Sequence, residues 1–140
     1  MRPGATFRDF HEASQRVLAE KLVAWGLLGD LDVEKVLELG LQRRWTLHGT
    51  GHMLGMDVHD CAVARTEAYV DGVLEPGVCL TVEPGLYFQA DDLTVPEEYR
   101  GIGVRIEDDI LVTEDGNRNL SDTLPRQADE VEAWMARLKG

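Results

Sequence analysis

Helices at the two ends of the chain with short strands between them make this an α+β sequence. Near the N-terminus, Phe7, Phe10, Ser14, Val17, Leu18, Leu22 and Trp25 recur at helical spacing. In the middle, VCLTV (Val78–Val82) is a short apolar run, and GIGVRIEDDILVT (Gly101–Thr113) is the clearest strand pattern in the chain. Near the C-terminus, Val131, Trp134, Met135 and Leu138 share one face of a helix.

The elements follow in order. Pro3-Gly4 is a turn, and Thr6 with Asp9 three residues on resembles an N-terminal capping box for the first helix. Gly26 and Gly29 end that helix, and a shorter one is expected from about Asp32 to Leu39, closed by Gly40. Gly49, Gly51 and Gly55 rule out a comfortable helix interior, so the stretch from Trp45 to Gly55 reads as loop or irregular strand whose backbone approaches something closely. Glu75-Pro76-Gly77 turns the chain into the VCLTV strand. Glu83-Pro84-Gly85 breaks that strand, and Leu86-Tyr87-Phe88 resumes it. The acidic segment from Asp91 to Tyr99 reads as an exposed loop, Asp115-Gly116 as a turn, and roughly Asp129 to Leu138 as the last helix. No internal repeat or linker divides the chain, so residues 1–140 are expected to form one domain unit.

Composition narrows the partners. The 26 Asp+Glu against 14 Lys+Arg give a net charge of −12, with no basic stripe for nucleic acid or an anionic membrane surface. Cys61 and Cys79 form no CxxC pair and read as reduced thiols. With no apolar secretory core in MRPGATFRDF and no run long enough to span a bilayer, a cytoplasmic location is expected.

The segment HGTGHMLGMDVHD (His48–Asp60) holds three of the four histidines, His48, His52 and His59. They are either metal-ligating or catalytic, or they hydrogen-bond to backbone in a polar loop. Glu83 follows an apolar run and precedes a proline that keeps it extended. It is either carried beside the core, where a carboxylate needs a cation, or left exposed at a turn. In GVRIEDD, alternation places Arg105, Glu107 and Asp109 on one face and Val104, Ile106 and Ile110 on the other, with Asp108 on the apolar side. That face is either a solvated edge or a carboxylate site supported by Arg105. Histidine and glutamate without sulfur suit manganese, cobalt or zinc. No nucleophile elbow or phosphate loop is present, and GIG is too short for a dinucleotide fingerprint.

Three blocks in order, HGTGHMLGMDVHD, EPGVCLTVEPGLY and RGIGVRIEDDILVTEDGNRNLS, closely resemble the C-terminal half of the Xaa-Pro aminopeptidases (aminopeptidase P), of the pita-bread metallopeptidases. The resemblance implies the C-terminal half of a pita-bread fold, an antiparallel sheet flanked by helices. It also implies two divalent ions, most often manganese with cobalt or zinc as alternatives, held by two aspartates, one histidine and two glutamates. By that resemblance His52, Glu83 and Glu107 are metal ligands, with Glu107 bridging both ions. His48 and His59 are substrate-side histidines, Arg105 supports the cluster, and Glu83 also handles protons. The implied reaction is hydrolysis of the bond between an N-terminal residue and proline, in peptides with proline second, and the expected partner is a further copy in a homo-oligomeric full-length enzyme or a missing N-terminal half.

One departure is local: many relatives carry Val-Gly after the His-Asp pair, where this sequence has Cys61-Ala62. A larger one is that the family's two aspartate ligands and a further histidine precede the Arg2-Pro3-Gly4 helix start, so the chain is expected to hold half a metal site, supplying three ligands of five. The isolated chain is therefore expected to have little activity. Rival readings are an Xaa-Pro dipeptidase (prolidase), a non-catalytic half-domain serving interaction or assembly, and a metal-free creatinase-like hydrolase, which both glutamates in place disfavour.

Overall fold

The computed structural model describes residues 1–139. In chain order it comprises α1 (Phe7–Ala24), α2 (Val33–Leu39), a 3-10 turn (Leu41–Arg44), the short α3 (Thr66–Tyr69), β1 (Cys79–Val82), β2 (Gly85–Tyr87), a second 3-10 turn (Glu97–Tyr99), β3 (Gly103–Arg105), β4 (Asp108–Thr113), β5 (Gly116–Asn119) and α4 (Ala128–Lys139). The α+β class holds, with strands between terminal helices.

The helix starts follow their capping residues. The Thr6 backbone N–H donates to Asp9 Oδ2 at 2.7 Å, and the Asp9 N–H returns to Thr6 Oγ1 at 3.2 Å. Asp32 caps α2 by accepting the Lys35 N–H at 2.8 Å, and Gly40 closes it at φ 66°, a conformation glycine adopts without strain. The buried face of α1 differs from the expected one. Phe7, Gln15, Ala19 and Leu22 point inward, whereas Val17 and Trp25 are exposed. Gln15 belongs inside because its side-chain oxygen accepts from Gln42 Nε2 at 3.2 Å.

The strands form an antiparallel sheet of order β1-β4-β5 and a separate pair, β2-β3. Thr81 opposes Asp109 and Val82 opposes Asp108, while Gly85 opposes Arg105 and Leu86 opposes Val104. All four pairs share one register. The two pairs are therefore one ribbon interrupted at Glu83-Pro84 on one side and at Ile106-Glu107 on the other. This corrects the expectation of an unbroken strand from Gly101 to Thr113. Pro84 has no N–H to offer, and one bond, from Ile106 N–H to the Pro84 carbonyl at 3.4 Å, crosses the gap.

A third segment lies along the free edge of β1. Glu83 N–H donates to the Thr50 carbonyl (2.6 Å), Thr81 N–H to His52 (2.8 Å), and Leu54 N–H to Cys79 (2.9 Å). This is the close approach the glycines implied: a Cβ at Gly51 would stand 2.0 Å from the Thr81 carbonyl oxygen. Leu74, Leu80 and Val112 form one core cluster, and Leu22, Trp45, Phe88 and Val95 another.

Two further expectations need correction. Residues 91–99 are not simply an exposed loop, because Asp92 and Val95 are buried. The Asp92 carboxylate accepts from Arg44 Nε and Nη2, Trp45 Nε1, and the Thr94 N–H and hydroxyl. The Arg44 guanidinium leads these donors in holding that carboxyl well below the usual range. On α4, no residue is buried; Trp134, Met135 and Leu138 are exposed, so the expected apolar face covers no core among the described residues.

Candidate active site

The interruption of the ribbon is where the carboxylates gather. Continuing the register across the gap sets Glu83 opposite Glu107. Alternation places both with Thr81, Tyr87 and Arg105 on one face of the ribbon. His52 reaches the same face from the segment bonded to β1. One ligand atom from each of His52, Glu83 and Glu107 lies within 4.8 Å of the others. His52 is half-buried, Glu83 is buried at 8% exposure, and Glu107 is exposed, so the cluster has one closed side and one open side.

The hydrogen bonds orient the side chains of this cluster. A carbonyl only accepts, so the 3.1 Å contact between His52 Nδ1 and the Met53 carbonyl places the proton of the neutral ring on Nδ1. The lone pair of Nε2 then faces Glu83 Oε1 at 3.3 Å. In that tautomer a ring nitrogen lone pair meets a carboxylate oxygen, an arrangement that a cation between the two relieves. The donor set, one imidazole nitrogen and two carboxylates, suits a divalent ion of the manganese, cobalt or zinc type. Glu83 is oriented on both sides. Its Oε1 accepts from the Thr81 hydroxyl at 3.0 Å, that hydroxyl accepts the His52 backbone N–H at 2.9 Å, and Arg105 Nη1 stands 3.6 Å from Oε2.

The other two histidines flank the cluster. Met53 and Asp60 pair in an isolated antiparallel bridge, which returns His59 until its ring lies 4.3 Å from that of His52, edge to face. His48 donates from Nδ1 to the Gly49 carbonyl at 2.6 Å, so Nε2 accepts from the Tyr87 hydroxyl at 2.7 Å.

Sequence reasoning did not single out Tyr87 or Thr81, although alternation from Glu83 puts both on its face. It also left Asp108 without a task. That carboxylate accepts from Arg126 Nε at 2.9 Å and from the Ser121 hydroxyl at 2.7 Å, and the guanidinium contact chiefly lowers its pKa to about 2. No local pattern signals Arg126, eighteen residues downstream.

This fold is that of a metallopeptidase. Residues 1–114 match the model of metallopeptidase family M24, and the chain belongs to that family. It is 82% identical over 140 residues to Xaa-Pro aminopeptidase 1 of Streptomyces coelicolor, covering 100% of this chain and 28% of the relative. The aminopeptidase PepP structure of Pseudomonas aeruginosa superposes with a TM-score of 0.90 at 43% identity, over 99% of this chain and 31% of that one. Zinc-substituted aminopeptidase P of Escherichia coli, in complex with product, superposes at 0.86 and 42% identity, over 97% and 30%. The architecture is accordingly a portion of the pita-bread fold, and the chain spans less than a third of the length of these relatives. Membership in the family implies divalent metal ions.

Proposed function

We propose that this chain is part of the catalytic domain of a metal-dependent Xaa-Pro aminopeptidase, which releases an N-terminal residue from peptides whose second residue is proline. The observation that carries this reading is the convergence of His52, Glu83 and Glu107 within 4.8 Å. These three residues would hold a pair of divalent ions, manganese in preference to cobalt or zinc, together with two aspartates from the remainder of a relative-length polypeptide. When bound, such ions polarise the scissile carbonyl and lower the pKa of water.

The chain's own residues do the rest. Glu83 has Oε1 committed to Thr81, which leaves Oε2 beside Arg105 to take up a proton during attack and return it to the departing nitrogen. His59, edge-on to His52, binds the substrate and stabilises charge developing on the carbonyl oxygen, while His48, whose Nδ1–H is given to the Gly49 carbonyl, presents Nε2 as an acceptor for a substrate N–H. Among the described residues no helix is long and apolar enough to cross a membrane.

The test replaces the matching segment of the Streptomyces coelicolor relative with this chain and measures cleavage of Xaa-Pro-Xaa tripeptides and Xaa-Pro dipeptides, with manganese and with EDTA. Manganese-dependent cleavage of tripeptides is expected, nearly abolished by His52→Ala, Glu83→Ala or Glu107→Ala. Turnover of dipeptides alone would make the protein a prolidase. A folded chimera inactive on both would remove the reading and favour the interaction module that the exposed α4 face suggests.

A further inference from the structure

We infer that His11, on α1, is a positioning residue for the metal-site histidines, acting through Thr50; this rests on the function proposed above. The segment from His48 to His52 carries glycine at positions 49 and 51, so its backbone has little stiffness of its own. Between the two histidines the one side chain that can be gripped is Thr50, which is 1% exposed. Its hydroxyl has one hydrogen-bond partner among the described residues, His11 Nδ1, at 2.8 Å. Its carbonyl accepts the Glu83 N–H at 2.6 Å.

A single residue is thus held by a helix on one side and by a candidate ligand's backbone on the other, with His48 and His52 each two positions away. The grip is indirect, through one hydrogen bond. His11 sits on the inward face of α1, one turn before the buried Gln15 and one turn after the buried Phe7, so the helix fixes its Cβ. Burial, and after it the nearby charge of Arg43, lowers the His11 pKa, which keeps the ring neutral beside the buried hydroxyl at neutral pH. Without the imidazole, Thr50 Oγ1 is a buried hydroxyl with no partner among the described residues, and only the bonds to β1 hold the segment in place.

The test uses the same chimera carrying His11→Ala, His11→Asn, Thr50→Val or the His11→Ala/Thr50→Val pair. Asparagine places a side-chain nitrogen or oxygen near the position of Nδ1. Three quantities are read: manganese affinity of the metal-free protein by calorimetry, kcat and KM on a tripeptide, and exchange rates of the Glu83 and Thr81 amides. Expected for His11→Ala is a loss of about tenfold in both manganese affinity and kcat, the scale of outer partners of metal ligands. KM stays within about twofold, and the Glu83 amide exchanges faster. Thr50→Val should match it, the pair should add little, and His11→Asn should recover most of the loss.

Unchanged affinity and kcat in His11→Ala, or a His11→Asn as impaired as the alanine variant, would overturn the inference. Failure of the underlying function shows separately, as a wild-type chimera that neither cleaves Xaa-Pro peptides nor binds manganese. In that event the amide exchange rates still decide, since rates unchanged by His11→Ala deny the grip.

Discussion

Glu83→Gln separates a metal ligand from a structural carboxylate. The substitution keeps the shape of the side chain and removes its charge. The amide oxygen retains the Thr81 hydroxyl bond seen at 3.0 Å, and the repulsion between Oε1 and the His52 Nε2 lone pair at 3.3 Å weakens. What is lost is the attraction to Arg105 Nη1 at 3.6 Å. With Arg105 half exposed, that ion pair is worth about 1 kcal/mol, near the water-like limit of Coulomb's law. Relief from burying a charge offsets it. In EDTA the variant should therefore stand within about 1 kcal/mol of wild type.

Manganese separates the two proteins. At about a hundred times its dissociation constant, an ion stabilises the state that binds it by about 2.7 kcal/mol. Wild type gains that amount and Glu83→Gln gains almost none. The assay is urea unfolding of the chimera, with EDTA and with manganese, for both proteins. A Glu83→Gln variant that gains as much from manganese as wild type would remove Glu83 from the ligand set. One that loses more than about 2 kcal/mol in EDTA would show that the carboxylate serves the Thr81 and Arg105 contacts instead.

Two other outcomes follow from the same geometry. His52→Ala should weaken manganese binding in calorimetry, whereas His48→Ala should leave it unchanged and lower kcat; equal losses of affinity would contradict the separate tasks. Asp108→Asn tests the Arg126 clamp. The folded carboxyl titrates at about 2 against about 3.9 unfolded, so its stabilising effect is complete above about pH 5 and is lost as pH falls through the folded value. Allowing for its 23% exposure, about 1 kcal/mol separates the variant from wild type at pH 7. Urea midpoints should converge on acidification, and a gap that stays constant from pH 7 to pH 3 would refute the assignment.

What could be read from the sequence was local chemistry. The Thr6–Asp9 box, the α2 ends at Asp32 and Gly40, and the strand break at Glu83-Pro84-Gly85 each depend on a few adjacent residues. What could not be read depends on distant partners. Gln15 is buried because Gln42 meets it, Asp92 because Arg44 and Trp45 do, and Asp108 serves Arg126 rather than the site. Apolar periodicity alone could not choose between the faces of α1, where Val17 and Trp25 are exposed, nor tell that α4 covers no core among the described residues.

The candidate site lies between these cases. Each histidine and glutamate is conspicuous by its neighbours, but their convergence rests on the register that pairs β1 with β4 and β2 with β3. That register makes the proline more than a strand breaker. By withholding an N–H, Pro84 stops the ladder where Glu83 and Glu107 face each other, and frees the ribbon to open there. The segment along β1 then supplies His52 through backbone bonds to Thr81 and Glu83, so closing one side of the cluster is a consequence of sheet pairing. The other side, at the exposed Glu107, stays open. Under the proposed function it is through this opening that the two remaining carboxylate ligands and the peptide substrate enter. An exposed Glu107 beside a buried Glu83 is then the asymmetry expected of a centre completed by polypeptide beyond these residues.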